Sequence, residues 1–312
     1  MIKRIIPVVA VCVGLLACQG AESPVEDISA GVAASPYLTG ADHYVDVDGL
    51  SMRYRDEGPE DAPILLMVHG FTFSLETWDA VADRLTPGYR IIRPDLPGHG
   101  LTGPDIQDRY TNEDTVAFLS GFINALGLSD PVIVGNSLGG LVAWRYAASH
   151  PDRVRGLILI SPGGFSINGV TEEPVPVPKM VELYLTQAPE AGVSAATGNM
   201  YADPQKLAEE RLTQIRDMML QPGNGDAFVK RAGMFTLPPP ETDLAGVGVP
   251  TLIIWGDRDK IIPPDHGSGF VEAMPQAILK LYENAGHLPQ EETPDRLAED
   301  IHLFTGGLAS PE

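Results

Sequence analysis

The sequence predicts an α/β protein: a mostly parallel central sheet flanked by helices, interrupted by a helical insertion. Three observations predict it. From residue 64 onward, apolar runs of strand length alternate with helically spaced segments. The run Ile64-Leu65-Leu66-Met67-Val68 is continuously apolar, as a strand covered on both faces must be. The stretch Gly135-Asn136-Ser137-Leu138-Gly139 stands between an apolar run and a helical pattern. A serine flanked by small residues at that junction suits a sharp strand-to-helix turn that pushes the hydroxyl out above the sheet.

The N-terminus reads as a targeting segment over residues 1–17. Lys3 and Arg4 precede an apolar stretch over 5–16, which is short for a bilayer span and of the length of a secretory core. It ends at Leu15-Leu16-Ala17-Cys18, which resembles the lipobox of bacterial lipoproteins. That resemblance implies lipidation of Cys18, a membrane partner through the N-terminal lipid anchor, and an exported cell-envelope protein. The chain has two cysteines, and cleavage before Cys18 would remove Cys12, leaving no intramolecular disulfide. Residues 18–40 are small and polar and read as a flexible tether.

The folded part then follows in order. Residues 44–47 and 52–55 flank Asp48-Gly49 and predict a hairpin. Strands are expected at 64–68, 90–93, 132–134 and 154–160, with helices over 75–85, 115–126 and 138–148. The rhythm breaks at 163–242. Pro174, Pro176 and Pro178 stiffen a connector, amphipathic segments lie near 180–186 and 206–220, and Pro238-Pro239-Pro240 closes the stretch. Strands resume at 251–255 and 278–282. The core is therefore expected over 41–162 and 243–312. The insertion 163–242 would lie as a lid over the carboxyl ends of the strands, where open α/β sheets bind ligands. Its methionines Met180, Met200, Met218, Met219 and Met234 are expected mainly to pack lid helices together.

A formal charge of −21 and a pI near 4.6 argue against a nucleic-acid partner, because phosphates would be repelled. The histidines outside the motifs, His43, His150, His266 and His302, are scattered, with no metal-binding spacing and no cysteine partner. No metal is therefore expected, and no glycine-rich phosphate loop follows a strand, so no nucleotide cofactor is expected either.

A serine hydroxyl needs a base, an acid that orients the base, and donors for an oxyanion. The base candidate is His287 in Asn284-Ala285-Gly286-His287-Leu288, after the last strand. For the acid, Asp257 and Asp259 compete in Gly256-Asp257-Arg258-Asp259-Lys260-Ile261-Ile262-Pro263. These segments, with His69-Gly70-Phe71 and Asp95-Leu96-Pro97-Gly98-His99-Gly100, resemble the α/β-hydrolase superfamily over about residues 43–305. The chain order Ser137, Asp259, His287 is the one that fold uses. The resemblance favours Asp259, through Gly256-x-x-Asp259-x-x-x-Pro263, and leaves Asp257 to stabilise the turn. It implies a catalytic Ser137, Asp259 and His287 with an oxyanion hole formed by the backbone N–H groups of Phe71 and Leu138. His69, Asp95 and His99 are expected to shape loops, and Asn136 to brace the turn.

A serine at position 137 excludes the aspartate-ester chemistry of epoxide hydrolases and haloalkane dehalogenases. The expected function is hydrolysis of a small apolar carboxylic ester through an acyl-enzyme. The alternative is a C–C hydrolase of the meta-cleavage-product type. Asn136-Ser137-Leu138-Gly139-Gly140, Ser161-Pro162-Gly163-Gly164-Phe165 and Asp265-His266-Gly267 resemble those enzymes. Phe71-Thr72-Phe73 replaces their glycine-rich loop, and Leu288 stands where they commonly carry tryptophan. A binding protein on the same fold would have lost members of the constellation, and here all three candidates are present.

Overall fold

The computed structural model describes residues 35–308. The expected signal segment, Cys18 and most of the expected tether lie outside the described residues. The strands are β1 (Asp42–Val47), β2 (Leu50–Glu57), β3 (Ile64–Val68), β4 (Arg90–Pro94), β5 (Val132–Asn136), β6 (Gly156–Ile160), β7 (Thr251–Gly256) and β8 (Ala277–Tyr282). They form an 8-stranded sheet in the order β1-β2-β4-β3-β5-β6-β7-β8. β1, β2 and β4 pair antiparallel and every later pairing is parallel.

The helices of the core are α1 (Asp79–Leu85), α2 (Asn112–Ala125) and α3 (Leu138–Ser149) before the insertion. The insertion carries α4 (Lys179–Gln187), α5 (Glu190–Met200), α6 (Glu209–Met219) and α7 (Asn224–Met234). After it come α8 (Glu241–Ala245), α9 (His266–Ala273), α10 (Pro289–Glu292) and α11 (Pro294–Gly306).

Burial on both faces explains the unbroken apolar strands. Leu66 and Val68 of β3 enter one core and Leu65 and Met67 the other, as the two-residue period requires. Ile133 of β5 faces the first core, while Val132 and Val134 face the second. A third cluster, which includes Leu185, Val193, Ile215 and Phe228, gives the insertion its own apolar centre and reaches Phe73 and Leu288 of the core. Met218 and Met219 are buried as expected of packing residues, whereas Met180 is exposed.

The chain runs from β3 to β4 on one side and then crosses to β5 on the other side of β3. The carboxyl ends of β3 and β5 thus flank the point where strand order reverses, the position at which such sheets hold ligands. The pairing of Val68 with Gly135 brings the loops after these strands together.

Several elements differ from expectation. Residues 75–78 form a 3-10 turn before α1. α2 starts three residues earlier than the apolar pattern, because Thr111 and Asp114 form a reciprocal cap. The strand expected at 154–160 is occupied first by a loop and pairs only from Gly156. The hairpin residue Arg53 is fully buried. It is paired with Asp42 (2.6 Å), Glu76 (2.8 Å) and Asp95 (3.0 Å). The tether also ends earlier than residue 40. The Tyr37 carbonyl accepts from Arg53 and Arg55, and its hydroxyl donates to Asp217 of α6 at 2.6 Å.

Candidate active site

Ser137 follows β5 directly and adopts φ 55°, ψ −114°. A side chain pays strain in this region, and it persists because the surroundings fix it. A Cβ on Gly135 would lie 2.4 Å from the Gly139 carbonyl oxygen, and one on Gly139 would lie 2.1 Å from that of Val68. Both positions must therefore lack a side chain for the turn to close. The Ser137 amide donates to Ile160 O (3.0 Å), and its carbonyl accepts from Leu141 and Gly163. Its neighbours Asn136 and Leu138 are buried, while Ser137 keeps partial exposure.

The loop after β7 carries Asp259 and the loop after β8 carries His287. His287 Nδ1 lies 2.8 Å from Asp259 Oδ2. Asp259 Oδ1 accepts from the Ile261 (2.8 Å) and Ile262 (3.0 Å) amides. Burial alone would raise the Asp259 carboxyl, but the His287 ring and these amides outweigh it and hold it below the ordinary carboxylate value. An ionised carboxylate only accepts, so Nδ1 carries a proton, and in the neutral ring Nε2 then holds the lone pair. Of the two competing aspartates, Asp259 meets the ring. Asp257 accepts from the Asn284 amide (2.8 Å) and serves the turn.

Ser137, His287, Phe71 and Leu138 line one cavity of about 440 Å³, walled by apolar side chains such as Phe73, Val181, Leu185, Met200, Phe235 and Leu288. Among the described residues no hydrogen bond joins Ser137 to His287. Asn136 ties their backbones instead, donating to both Ile160 O and His287 O at 3.1 Å. The amides of Phe71 and Leu138 donate to no protein acceptor among the described residues. Leu138 opens α3, so its free N–H also carries the positive end of the helix. Such a cavity can bind an apolar group, deprotonate a hydroxyl and stabilise an oxyanion.

His69 and Asp95, expected to shape loops, bond to loop backbone. His69 accepts from the Leu96 amide at Nε2 (2.9 Å) and contacts Gly70 O through Nδ1 (2.8 Å). Burial pushes it down to about 4, so it stays neutral. Asp95 accepts from the Leu75 and Leu101 amides and from Arg53.

Sequence reasoning missed the residues that dock the insertion beside His287. Glu291 accepts from Arg211 Nε (3.0 Å) and Nη2 (2.7 Å), Tyr201 (2.5 Å) and Thr77 (2.6 Å). Gln290 donates to Asn136 Oδ1 (3.1 Å). Their partners are remote in sequence, and adjacent glutamates opening a helix look like ordinary solvated residues. Burial would raise Glu291, but Arg211 and the hydroxyl donors outweigh it and hold it below its ordinary value of 4.5. A lowered carboxylate stabilises the fold above the unfolded value and loses that contribution as pH falls through the folded one. Arg211→Met should strand this charge and cost about 3–5 kcal/mol at neutral pH. Thermal melts should show the deficit against wild type narrowing as pH falls, because the stranded Glu291, raised by burial once Arg211 is gone, protonates first, and the wild-type pair loses its own contribution below 4.5. A deficit constant with pH would assign the loss to packing alone.

Comparison with known proteins identifies the family. A family model described as the alpha/beta hydrolase fold matches residues 63–294. The chain is 32% identical over 290 residues to the dihydrolipoyllysine-residue acetyltransferase component of the acetoin cleaving system of Cupriavidus necator, covering 92% of this chain and 73% of that protein. It is 28% identical to Lipase 3 of a Moraxella species, covering 83% of this chain and 82% of the lipase. It is 29% identical to 2-hydroxy-6-oxo-6-phenylhexa-2,4-dienoate hydrolase of Burkholderia cepacia, covering 77% of this chain and 86% of that enzyme. With its sheet order, its serine turn and this match over most of its length, the chain belongs to the α/β-hydrolase family.

Proposed function

We propose that the protein is a serine hydrolase that cleaves carboxylic esters through an acyl-enzyme, with Ser137 as nucleophile, His287 as base and Asp259 as its orienting acid. The observation that carries this reading is an apolar cavity lined together by a strained, accessible serine, by two residues whose amides meet no protein acceptor among the described residues, and by a histidine already paired with a carboxylate. Ser137 Oγ bonds to the ester carbonyl carbon as its proton passes to His287 Nε2. The Phe71 and Leu138 amides take the oxyanion, and each such donor is worth about a hundred- to a thousandfold in rate. The bond to the alcohol oxygen then breaks as His287 returns the proton. Water attacks the acyl carbon, His287 takes its proton, and the acid leaves with the serine hydroxyl restored.

Catalytic hydrogen bonds often tighten only in the substrate complex, and a side-chain adjustment on substrate binding joins Ser137 to His287. We infer that the insertion acts as a lid, because α4, α5 and α7 supply much of the cavity wall.

The C–C hydrolase reading is supported by the three segments that resemble those enzymes and by the likeness to the Burkholderia dienoate hydrolase and to other ring-cleavage hydrolases. The apolar lining suits a small apolar ester, and the likeness to a lipase supports that reading alongside the other. A panel of p-nitrophenyl esters of rising acyl length, run beside a coloured ring-cleavage dienoate, separates the two. Ester turnover with no bleaching of the dienoate is expected. Rapid bleaching with poor ester turnover would reverse the assignment.

A further inference from the structure

The histidine loop does not stand alone. Glu292 is buried, and each of its carboxylate oxygens takes one backbone amide. Oε1 accepts from Gly286 at 2.7 Å and Oε2 from Ala202 at 2.8 Å. Gly286 immediately precedes His287, and Ala202 lies just past α5 of the insertion. The His287 amide itself donates to Met200 O at 2.6 Å. The two segments lie so close that a Cβ on Gly286 would sit 2.3 Å from the Met200 carbonyl oxygen. A stretch of the insertion and the loop bearing the base are thus joined through one carboxylate and one direct backbone bond.

We propose that Glu292 is a positioning residue for His287: by holding the Gly286 and Ala202 amides together, it sets where the imidazole stands relative to Ser137. It touches neither substrate nor the reacting atoms. The neighbouring Glu291 differs in kind, since it takes side-chain donors from Arg211, Tyr201 and Thr77 and leaves the Gly286 amide alone. The insertion is then more than a cover, because its segment after α5 forms part of the seat of the base. This inference rests on the esterase reading above.

Glutamine at 292 tests it sharply. Both oxygens accept N–H groups, so an amide in their place keeps one acceptor and turns a donor against the other amide. Glu292→Gln should lower kcat on p-nitrophenyl butanoate by about 10- to 100-fold, the scale of an ångström-sized misplacement. KM should stay within about threefold, since the cavity wall is untouched, and fluorophosphonate labelling should slow with kcat. The low-field proton resonance of the His287–Asp259 hydrogen bond should shift or broaden. Glu292→Asp keeps the charge but is one methylene shorter, and should fall between the two.

A folded Glu292→Gln with kcat within about twofold of wild type and an unchanged resonance overturns the proposal. So does a lower melting temperature without loss of kcat. If neither variant folds, the carboxylate serves the fold and the positioning role is wrong. Turnover that survives Ser137→Ala would sink this inference together with the esterase reading. Turnover lost in Ser137→Ala but kept in Glu292→Gln would sink this inference alone.

Discussion

Replacing Ser137 by alanine is expected to lower kcat on the best p-nitrophenyl ester by about 10⁴- to 10⁶-fold, the range seen when the nucleophile of such a constellation is removed. The substitution removes the only atom proposed to bond to the acyl carbon. It leaves the turn intact, because the hydrogen bonds at position 137 run through the backbone, to Ile160, Leu141 and Gly163. Alanine also has no side chain beyond the Cβ that already tolerates φ 55°. The melting temperature should therefore hold while activity disappears. An alanine variant with undiminished turnover would remove the assignment, whatever its stability.

Asp259→Asn should be nearly as damaging, and the structure says why. Oδ1 is pinned by the Ile261 and Ile262 amides. In the asparagine variant the carbonyl oxygen must keep that place, so the NH₂ group takes the position facing His287 Nδ1. A donor there selects the tautomer with its proton on Nε2, which cannot accept a proton from Ser137. Loss of about 10⁴ in kcat is expected, with little change in KM. Kinetics at constant pH test it, and activity within tenfold of wild type would show that the carboxylate does not set the tautomer.

The legible parts of the fold were those whose physics is local. β3, β5 and β7 sit between two cores, so each carries an unbroken apolar run, over 64–68, 132–134 and 252–255. The serine turn announces itself because Gly135 and Gly139 have no room for a side chain. The order of elements around it was enough to place the Ser137 hydroxyl above the sheet. Asp257 and Asp259 could not be ranked from the residues themselves. The ranking came from the family resemblance, and the geometry agrees with it through the 2.8 Å contact to His287.

What escaped was set by distant partners. Arg53 reads as the polar face of a hairpin, yet it is buried against three carboxylates drawn from other segments. α5 is built from Ala, Gly, Ser and Thr around Val193, too small and mixed a pattern to stand out as a helix. Tyr37 looked like tether until the fold supplied Arg53, Arg55 and Asp217 to hold it. Glu291 and Glu292 gave no signal, because their partners on the insertion lie 80 to 90 residues earlier in the chain.

The central claim is that Ser137 is an activated nucleophile in a working hydrolase. Incubation of the full chain with a fluorophosphonate probe, followed by tandem mass spectrometry, tests it most directly. A single adduct on Ser137, formed in step with loss of esterase activity, is the predicted result. Modification of a different residue as activity is lost, or an active enzyme that never takes the label, would contradict it.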